Sequence, residues 1–543
     1  MAAQPDPALA LEVRMLSRMR AVRGAGARGG AGAARLYGGA GVLVTGGTGF
    51  LGRQLLEKLL RACNGIKKIY LLTRVKKGKS MEERLKEQMQ DPVYDELRKT
   101  HPDFESKIEP IEGDITELRL GIKDEDWKKI ADEITVIFHG AATVRFDEPL
   151  KVAVLTNVRS VREIIALGRE CANLKSLVYY STAYAHCNRQ EIRETFYDCA
   201  VSPSAIIDFV ETVDEKKIAA MEPILIEGWP NTYTYSKAIA EETLRTMGAG
   251  LPICVVRPAI VSPAIREPSP GWVDVSNCNG PSGVILGVGM GIIHTMLAKS
   301  DIHMDIVPVD CVNNLAIAAS WETARRHALG EKDIQIYTLS RHRNHLTWEF
   351  LQNFCETKAR KLISPAAVWY AYSLTTSSQL IYQLLTLFLH FIPAVLIDAV
   401  LIVLGKQLRL TRLYKRVYKI NAIFLKHFVF HSWTNYDDNT LQLYNSLSED
   451  DKQIFDFDIA KIDSDEFMSI WCLGLRKYII KDNLQGTEKA IKRQAVLKVV
   501  NALVLVLYSF MLWKMFLWMF SGLNYLGTGL FLCVGSFFVT LCP

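Results

Sequence analysis

Two clusters of residues in this chain have types and spacing suited to chemistry. One is the run Thr45, Gly46, Gly47, Thr48, Gly49, Phe50, Leu51 and Gly52. The other is the pair Tyr233 and Lys237, four residues apart. On a helix that spacing puts a phenol and an ammonium on one face. A free phenol titrates near pH ~10 and is a poor proton shuttle at neutrality. A nearby ammonium favours phenolate, so Lys237 is expected to lower the Tyr233 pKa. Lys237 can also grip ribose hydroxyls. Ser181 and Thr182 follow an apolar run and offer hydroxyls that can hydrogen-bond a carbonyl as negative charge develops on it. Tyr233 then supplies a proton to that oxygen. Alone, Tyr-x-x-x-Lys marks many ordinary helix faces. Downstream of a glycine loop, and after a strand ending in Ser-Thr, it points to hydride transfer from a nicotinamide cofactor to a carbonyl.

The elements that must position these groups are legible as alternating strands and helices. Gly41–Thr45 is a short apolar run and reads as a buried parallel strand. The helix after it carries Leu51, Leu55, Leu56, Leu59 and Leu60 at helical spacing. Gly46, Gly49 and Gly52 lie between the two. Lacking Cβ atoms, they let a pyrophosphate approach backbone N–H groups and the positive end of the helix dipole. Many loops are glycine-rich; the strand before and the helix after give this one its meaning.

A second strand, Ile69–Thr73, ends at Arg74. An acid there would bind a ribose 2′-hydroxyl, whereas an arginine accommodates a 2′-phosphate. Arg74, with Lys76, Lys77 and Lys79 after it, predicts NADPH over the plainer reading of a solvated basic loop. A third strand is expected over Ile108–Ile115, with Asp114 and Ile115 near the adenine. A fourth, Ile134–His139, is followed by Gly140, Ala141 and Ala142, small enough for the nicotinamide half to lie near the backbone. His139 reads as a packed core histidine rather than a catalytic one. A fifth strand, Leu177–Tyr180, delivers Ser181 and Thr182. A sixth, Val255–Pro258, leads into a substrate loop and adds Pro258 to the cofactor-binding set. The expected fold is α/β, a doubly wound parallel sheet of the Rossmann type.

The combination resembles the alcohol-forming fatty acyl-CoA reductases of the extended short-chain dehydrogenase superfamily. The resemblance rests on Val44–Gly52, His139–Phe146, Tyr180–Tyr184, Asn231–Lys237 and Val256–Pro258. Pro270-Gly271-Trp272, Asn279–Gly283 and Val307–Asp310 narrow it further. It extends from about residue 35 to the C-terminus, and the Tyr/Lys pair fits the pattern. It implies NADPH-dependent reduction of a long-chain acyl-CoA to a primary alcohol. It also implies that Thr182, the second hydroxyl, takes the catalytic role, with Ser181 as the alternative.

Composition sets the outer bounds. The chain has 543 residues, enough for two or more domains, and a net charge of +6. That charge and the absence of an aromatic-basic recognition module argue against nucleic acid. The 11 cysteines are dispersed without a Cys-x-x-Cys pair, which fits a reducing compartment and no metal cluster. His427 and His431 have helix-ligand spacing, yet their aromatic surroundings favour a packed helix. Hydrophobic residues make up 49% of the chain, so a membrane segment is expected.

Four regions follow. Residues 1–36 are rich in Ala, Gly and Arg; the composition resembles a mitochondrial transit peptide, but with Ser17 as the lone serine a disordered extension is the preferred reading. Residues 37–355 form the NADPH-binding reductase domain. Residues 356–485 form a mainly helical domain for substrate or membrane contact. Within it, Leu380–Leu404 is apolar but broken by Gln383, His390, Pro393 and Asp398, which argues against a plain membrane span. Packed core, a surface membrane contact and a wall for an acyl chain all remain open for that stretch. Residues 496–541 form a membrane anchor with one span or two, turning near Ser521–Asn524. Lys489, Lys492, Arg493 and Lys498 flank its entry and place the catalytic domain in the cytosol, at the endoplasmic reticulum or the peroxisome. The expected partners are NADPH, a long-chain acyl-CoA and a lipid bilayer. The competing functions are a membrane-bound sterol or sugar-nucleotide dehydrogenase, which releases no CoA, and a catalytically silent membrane scaffold.

Overall fold

Seven runs form the strands of one sheet, buried almost throughout except for the edge strand β3, which is half-buried: β1 Gly41–Thr45, β2 Lys68–Thr73, β3 Ile108–Glu112, β4 Ile134–His139, β5 Ser176–Tyr180, β6 Ile253–Pro258 and β7 Gln335–Leu339. They pair in parallel in the order β7-β6-β5-β4-β1-β2-β3, as expected for a doubly wound sheet. The register is set early, with Val44 opposite both Leu71 and Phe138. The computed structural model describes residues 6–25, 32–74, 78–199, 201–407 and 409–519. β3 stops at Glu112, so Asp114 and Ile115 lie in the turn beyond it rather than in the strand. β7 carries no motif and was outside the sequence reading.

In chain order the helices that matter are α1 Pro7–Ala25, α2 Phe50–Ala62, α3 Ser160–Glu170, α4 Thr232–Met247, α5 Pro281–Gly289, α6 Val309–Ala328 and α7 Trp348–Thr357. These are followed by α8 Gln379–Val403, α9 Leu410–Lys419, α10 Ser464–Gly474 and α11 Thr487–Met519. One face of the sheet packs on α2 and α6 through Leu55, Leu56, Leu59, Val312 and Leu315. The other packs on α3 and α4 through Val161, Ile164, Ala240 and Leu244. Both faces are therefore dry, and the strands can be uniformly apolar.

The expectation of disorder over residues 1–36 is corrected where the region is described. Pro7–Ala25 is a helix with Ala8 and Met15 buried. Asp6 accepts hydrogen bonds from the N–H groups of Ala8 and Thr487, at 3.0 and 2.8 Å. One carboxylate thus caps α1 and ties it to the start of α11. Lys477 Nζ lies 2.5 Å from Glu12 Oε1 and fixes the same helix to the C-terminal region.

The packed-core option for residues 380–404 is also corrected. Of the polar interruptions in α8, His390 and Asp398 turn inward, while Gln383 stays exposed. His390 accepts from the His294 N–H at 2.9 Å and stacks on Tyr414. Asp398 accepts from the N–H groups of Leu410 and Thr411, at 2.7 and 3.0 Å, and so caps α9. The outward face is apolar and open, with Leu380 66%, Leu396 60% and Val403 85% exposed. Leu385 and Leu389 on its inner side pack against Leu505 of α11. The turn expected near Ser521–Asn524 lies outside the described residues.

The sheet domain and the helical region meet through a backbone contact. Gly271 has φ +73°, and a Cβ there would lie 2.7 Å from Gly474 Cα; one on Gly474 would lie 1.9 Å from the Gly271 carbonyl oxygen. Trp272 next to it is buried, donates to Asp91 at 3.1 Å and stacks on Phe50 at 5.2 Å. The Pro-Gly-Trp loop thereby braces the start of α2 from α10. Gly474→Val is expected to cost about 1–3 kcal/mol by overpacking this contact. A thermal melt of the purified protein in detergent checks it; an unchanged midpoint would refute the contact.

Candidate active site

The glycine loop turns from β1 into α2 with Gly46 at φ +75°. A Cβ on Gly46 would sit 2.7 Å from Ala141 N, inside the backbone of the segment after β4. One on Gly52 would sit 2.3 Å from the Gly46 carbonyl oxygen. Gly49 stands at the N-cap of α2 with no side-chain cap hydrogen bond, so the first-turn N–H groups are not answered by a capping side chain. This is a cradle that fits a dinucleotide pyrophosphate. Thr45, Thr48, Phe50 and Leu51 build its frame. Thr45 Oγ1 lies 2.8 Å from His139 Nδ1 and accepts from Ala141 N at 3.2 Å. Thr48 O accepts from Arg53 Nε, Leu51 O accepts from Asn313 Nδ2, and Phe50 lies on Trp272. His139 is buried, and burial, with the Lys237 charge, pushes its pKa down to about 3. Its role here is packing and holding Thr45.

Tyr233 and Lys237 occupy the first turns of α4, which is capped by Asn231 Oδ1 accepting from Thr234 N at 2.9 Å. The expected lowering of the Tyr233 pKa is not found. Burial pushes the phenol up to about 12, and the Thr182 hydroxyl, hydrogen-bonded to it, pulls the other way. Lys237 turns instead to β5: its Nζ donates to Tyr180 O at 2.7 Å and to Tyr179 Oη at 3.2 Å. Burial lowers its pKa to about 7, against the attraction of Glu241. The long lysine side chain thus finds acceptors nearer than the phenol one turn away.

The two candidate hydroxyls after β5 have different partners. Ser181 Oγ donates to Glu241 Oε1 at 2.5 Å. Glu241 is buried and also receives Arg257 Nε at 2.9 Å and Nη2 at 2.5 Å, with His186 Nε2 at 3.1 Å. Burial alone would raise this carboxyl; Arg257 and His186 outweigh that and hold it well below the usual carboxylate range. Ser181 is therefore absorbed into a structural ion pair, while Thr182 faces Tyr233.

The remaining cofactor candidates ring the C-terminal edge of the sheet. Arg74 is mostly exposed and its Nη1 lies 3.7 Å from Asp114 Oδ2. Asp114 also closes its own turn by accepting from Thr116 N and Oγ1 at 2.9 and 2.8 Å. Ile115 packs against the α3 side of the sheet. Ala141 and Ala142 are half-buried beside the glycine loop. Pro258 ends β6 and its carbonyl accepts from Ala183 N at 2.9 Å, which fixes the turn carrying Thr182. Lys76 and Lys77 of the basic cluster lie outside the described residues.

Sequence reasoning passed over three contributors. Asn157, in a widened turn between Leu155 and Arg159, donates to Ser236 Oγ at 2.9 Å and to Thr143 O at 3.1 Å, and accepts from Thr143 N at 2.9 Å. It clamps the segment after Ala142 to α4. Its neighbours Thr156, Arg159 and Ser160 are polar as well, so the local sequence gives Asn157 no distinguishing signal. Phe146 stacks on Tyr233 at 5.8 Å, and Phe428 stacks on Phe146 at 5.3 Å. Phe428 comes from the helical region almost 200 residues away, and no local pattern announces it. His427 and His431 stack on each other at 4.4 Å in the same aromatic cluster.

Known proteins resemble this chain over most of its length. Residues 44–316 and 389–482 fit two family models, each described as male sterility protein. The chain is 35% identical over 482 residues to fatty acyl-CoA reductase wat of Drosophila melanogaster, covering 88% of this chain and 91% of that one. It is 36% identical over 483 residues to fatty acyl-CoA reductase 1 of Homo sapiens, covering 89% and 92%. Among solved structures, the terminal R domain of the myxalamid PKS-NRPS pathway superposes with a TM-score of 0.53 at 19% identity, covering 81% and 91% of the two chains. The R domain of a Mycobacterium tuberculosis non-ribosomal peptide synthetase gives 0.51 at 18%, covering 88% and 99%. At that identity the two structures speak for the fold alone.

Below about pH 7 Lys237 is an ammonium, and above it the neutral amine takes over. Affinity for a reduced nicotinamide dinucleotide is therefore expected to weaken as pH rises through that value, by up to about tenfold per unit. In Lys237→Arg, which stays charged, the dependence flattens. Cofactor fluorescence titrations across the range check this, and parallel slopes for the two proteins would contradict it.

Proposed function

Because the chain belongs to the fatty acyl-CoA reductase family, and so is an NAD(P)-dependent oxidoreductase, we propose that it reduces a long-chain fatty acyl-CoA to the primary alcohol and free CoA at a membrane surface. The observation that carries this reading is the meeting of Thr182 and Tyr233 beside the glycine loop, with Lys237 on the same helix. Bound NADPH supplies the reducing equivalents, two molecules for each thioester taken to alcohol. The Gly46–Gly52 loop would hold its pyrophosphate, Arg74 its 2′-phosphate and Lys237 its ribose. Thr182 Oγ1 and Tyr233 Oη hold the thioester carbonyl oxygen, and Tyr233 Oη protonates it as the carbon becomes tetrahedral. The hemithioacetal then collapses: its hydroxyl returns the proton to the Tyr233 phenolate, the C–S bond breaks, the CoA thiolate leaves to take a proton from solvent, and an aldehyde remains. The same two hydroxyls receive the aldehyde oxygen, and Tyr233 protonates it again to give the alcohol. Phe146 and Phe428 keep water from the phenol.

Two apolar surfaces support the membrane location. α11 exposes Val499, Leu503, Leu507 and Met511 over a helix long enough to span a bilayer. The inner side of α8 packs on the same helix through Leu385, Leu389 and Leu505, so the open face of α8 and the exposed face of α11 form one apolar border. Beside it α9 exposes Arg412 and Lys415, suited to lipid headgroups. Lys489, Lys492, Arg493 and Lys498 at the head of α11 put the reductase domain on the cytosolic side.

Tyr233→Phe is expected to lower thiol release from palmitoyl-CoA by about 10²–10⁴-fold. Thr182→Val should lose activity on a similar scale without loss of cofactor affinity, whereas Ser181→Ala should act mainly on thermal stability. Normal turnover by the Tyr233 variant would reject the role assigned to it. Arg74→Glu should shift the kcat/KM ratio from NADPH towards NADH by at least about tenfold, since a 2′-phosphate then meets a like charge. An unchanged ratio would remove Arg74 from the cofactor site.

A further inference from the structure

We infer that the substrate's acyl chain lies in the apolar hollow between α5, α7 and α10, reached from the reaction centre past Phe428 and Val284; this rests on the acyl-CoA reading above. The hollow opens to solvent on one side and leaves about 100 Å³ to the centre of a water-sized sphere. Its walls include Ile285, Val288, Met296, Leu351, Leu362 and Leu475. One water needs about 10–15 Å³ by that measure, and close-packed interiors hold few voids larger than a water molecule, so the space exceeds a packing fault and its apolar walls suit an alkyl chain.

The route to the reaction centre is a chain of contacts. A second hollow is lined by Tyr184, Phe428, Val284 and Trp348, with Asp305 and Arg341 also on its wall. Val284 and Trp348 border the first hollow as well, so the two spaces adjoin across these side chains. Tyr184 meets Phe428 edge-on at 5.3 Å, Phe428 lies on Phe146, and Phe146 lies on Tyr233. A thioester held at Tyr233 thus has aromatic walls leading away from it into the apolar space.

The far wall leads to the membrane border. Ala371, Tyr372, Ser373 and Thr375 line the hollow. The backbone just before them is fastened to α11: Trp369 Nε1 donates to Asn501 Oδ1 at 2.8 Å, Gln494 Nε2 donates to Trp369 O at 2.9 Å, and Ala371 N donates to Gln494 Oε1 at 3.0 Å. The same segment runs on into α8. The wall of the acyl space is therefore built on the two helices with the exposed apolar faces. A chain drawn from a bilayer passes from one apolar environment to another, so its methylenes stay out of water on the way.

The test uses full-length protein in detergent-lipid micelles. Val288→Trp should lower kcat/KM for palmitoyl-CoA relative to decanoyl-CoA by at least about tenfold, and Leu351→Ala should move the ratio the other way. An unchanged ratio in both variants would overturn the assignment. A palmitoyl-CoA carrying a diazirine at its methyl end gives a reading independent of turnover. Labelling on α5, α7 or α10 supports the hollow; labelling confined to other elements rejects it. Wild-type protein that releases no thiol from any acyl-CoA would sink the proposed reaction instead, while the labelling result would still read the site.

Discussion

A carboxylate shut away from water must be answered by charge and hydrogen bonds, and Glu241 sets that condition for the whole reaction centre. Arg257 on β6, Ser181 at the end of β5 and His186 beyond it all converge on this one side chain of α4. Arg257 also donates to the carbonyls of Arg193 and Thr195, which pulls in the loop after β5. A buried pair of this kind adds little net stability over an apolar replacement, but breaking it by removing one partner costs about 3–5 kcal/mol. Its value lies in geometry. It fixes α4 against the two strand ends, and so fixes Tyr233 and Lys237 against Thr182. By engaging Ser181, it leaves the neighbouring hydroxyl to face the reacting oxygen.

The helical region completes a site that the sheet cannot close alone. Phe428 reaches Phe146, which covers Tyr233, and α10 meets the Pro-Gly-Trp loop through two glycines at backbone distance. Trp272 carries that contact to Phe50 at the head of the phosphate helix. The N-terminal helix is held by Asp6 and Glu12 to the region that feeds α11. Cofactor cradle, acyl space and apolar border are thus coupled by packing, and a change at the Gly271–Gly474 contact is felt at the start of α2.

The apolar border shows how a sequence signal can be sound and still mislead. Asp398 and His390 in a hydrophobic run argue against contact with lipid when each residue is taken on its own terms. In the structure both point inward, one capping α9 and the other accepting from His294. Helical periodicity separates the polar and apolar faces of α8, so the outer face keeps its hydrophobic character. The same limit of local reading applies to residues 7–25, whose arginine-rich composition suggests disorder. Their helix is held by a few contacts to residues more than 450 positions away.

The sequence by itself determined what short-range chemistry writes into adjacent residues. The glycine loop between a strand and a helix, the i,i+4 spacing of Tyr233 and Lys237, the first six strands of the sheet and the apolar C-terminal run all follow from local pattern, because strand, helix and turn preferences act over a few residues. The tertiary structure alone decided which of Ser181 and Thr182 faces the phenol, how Lys237 is solvated, that Asn157 and Phe428 reach the candidate site, and where the apolar hollow between α5, α7 and α10 lies. Those outcomes depend on burial and on contacts between segments far apart in the chain. Desolvation energies and packing exist only once such segments have come together.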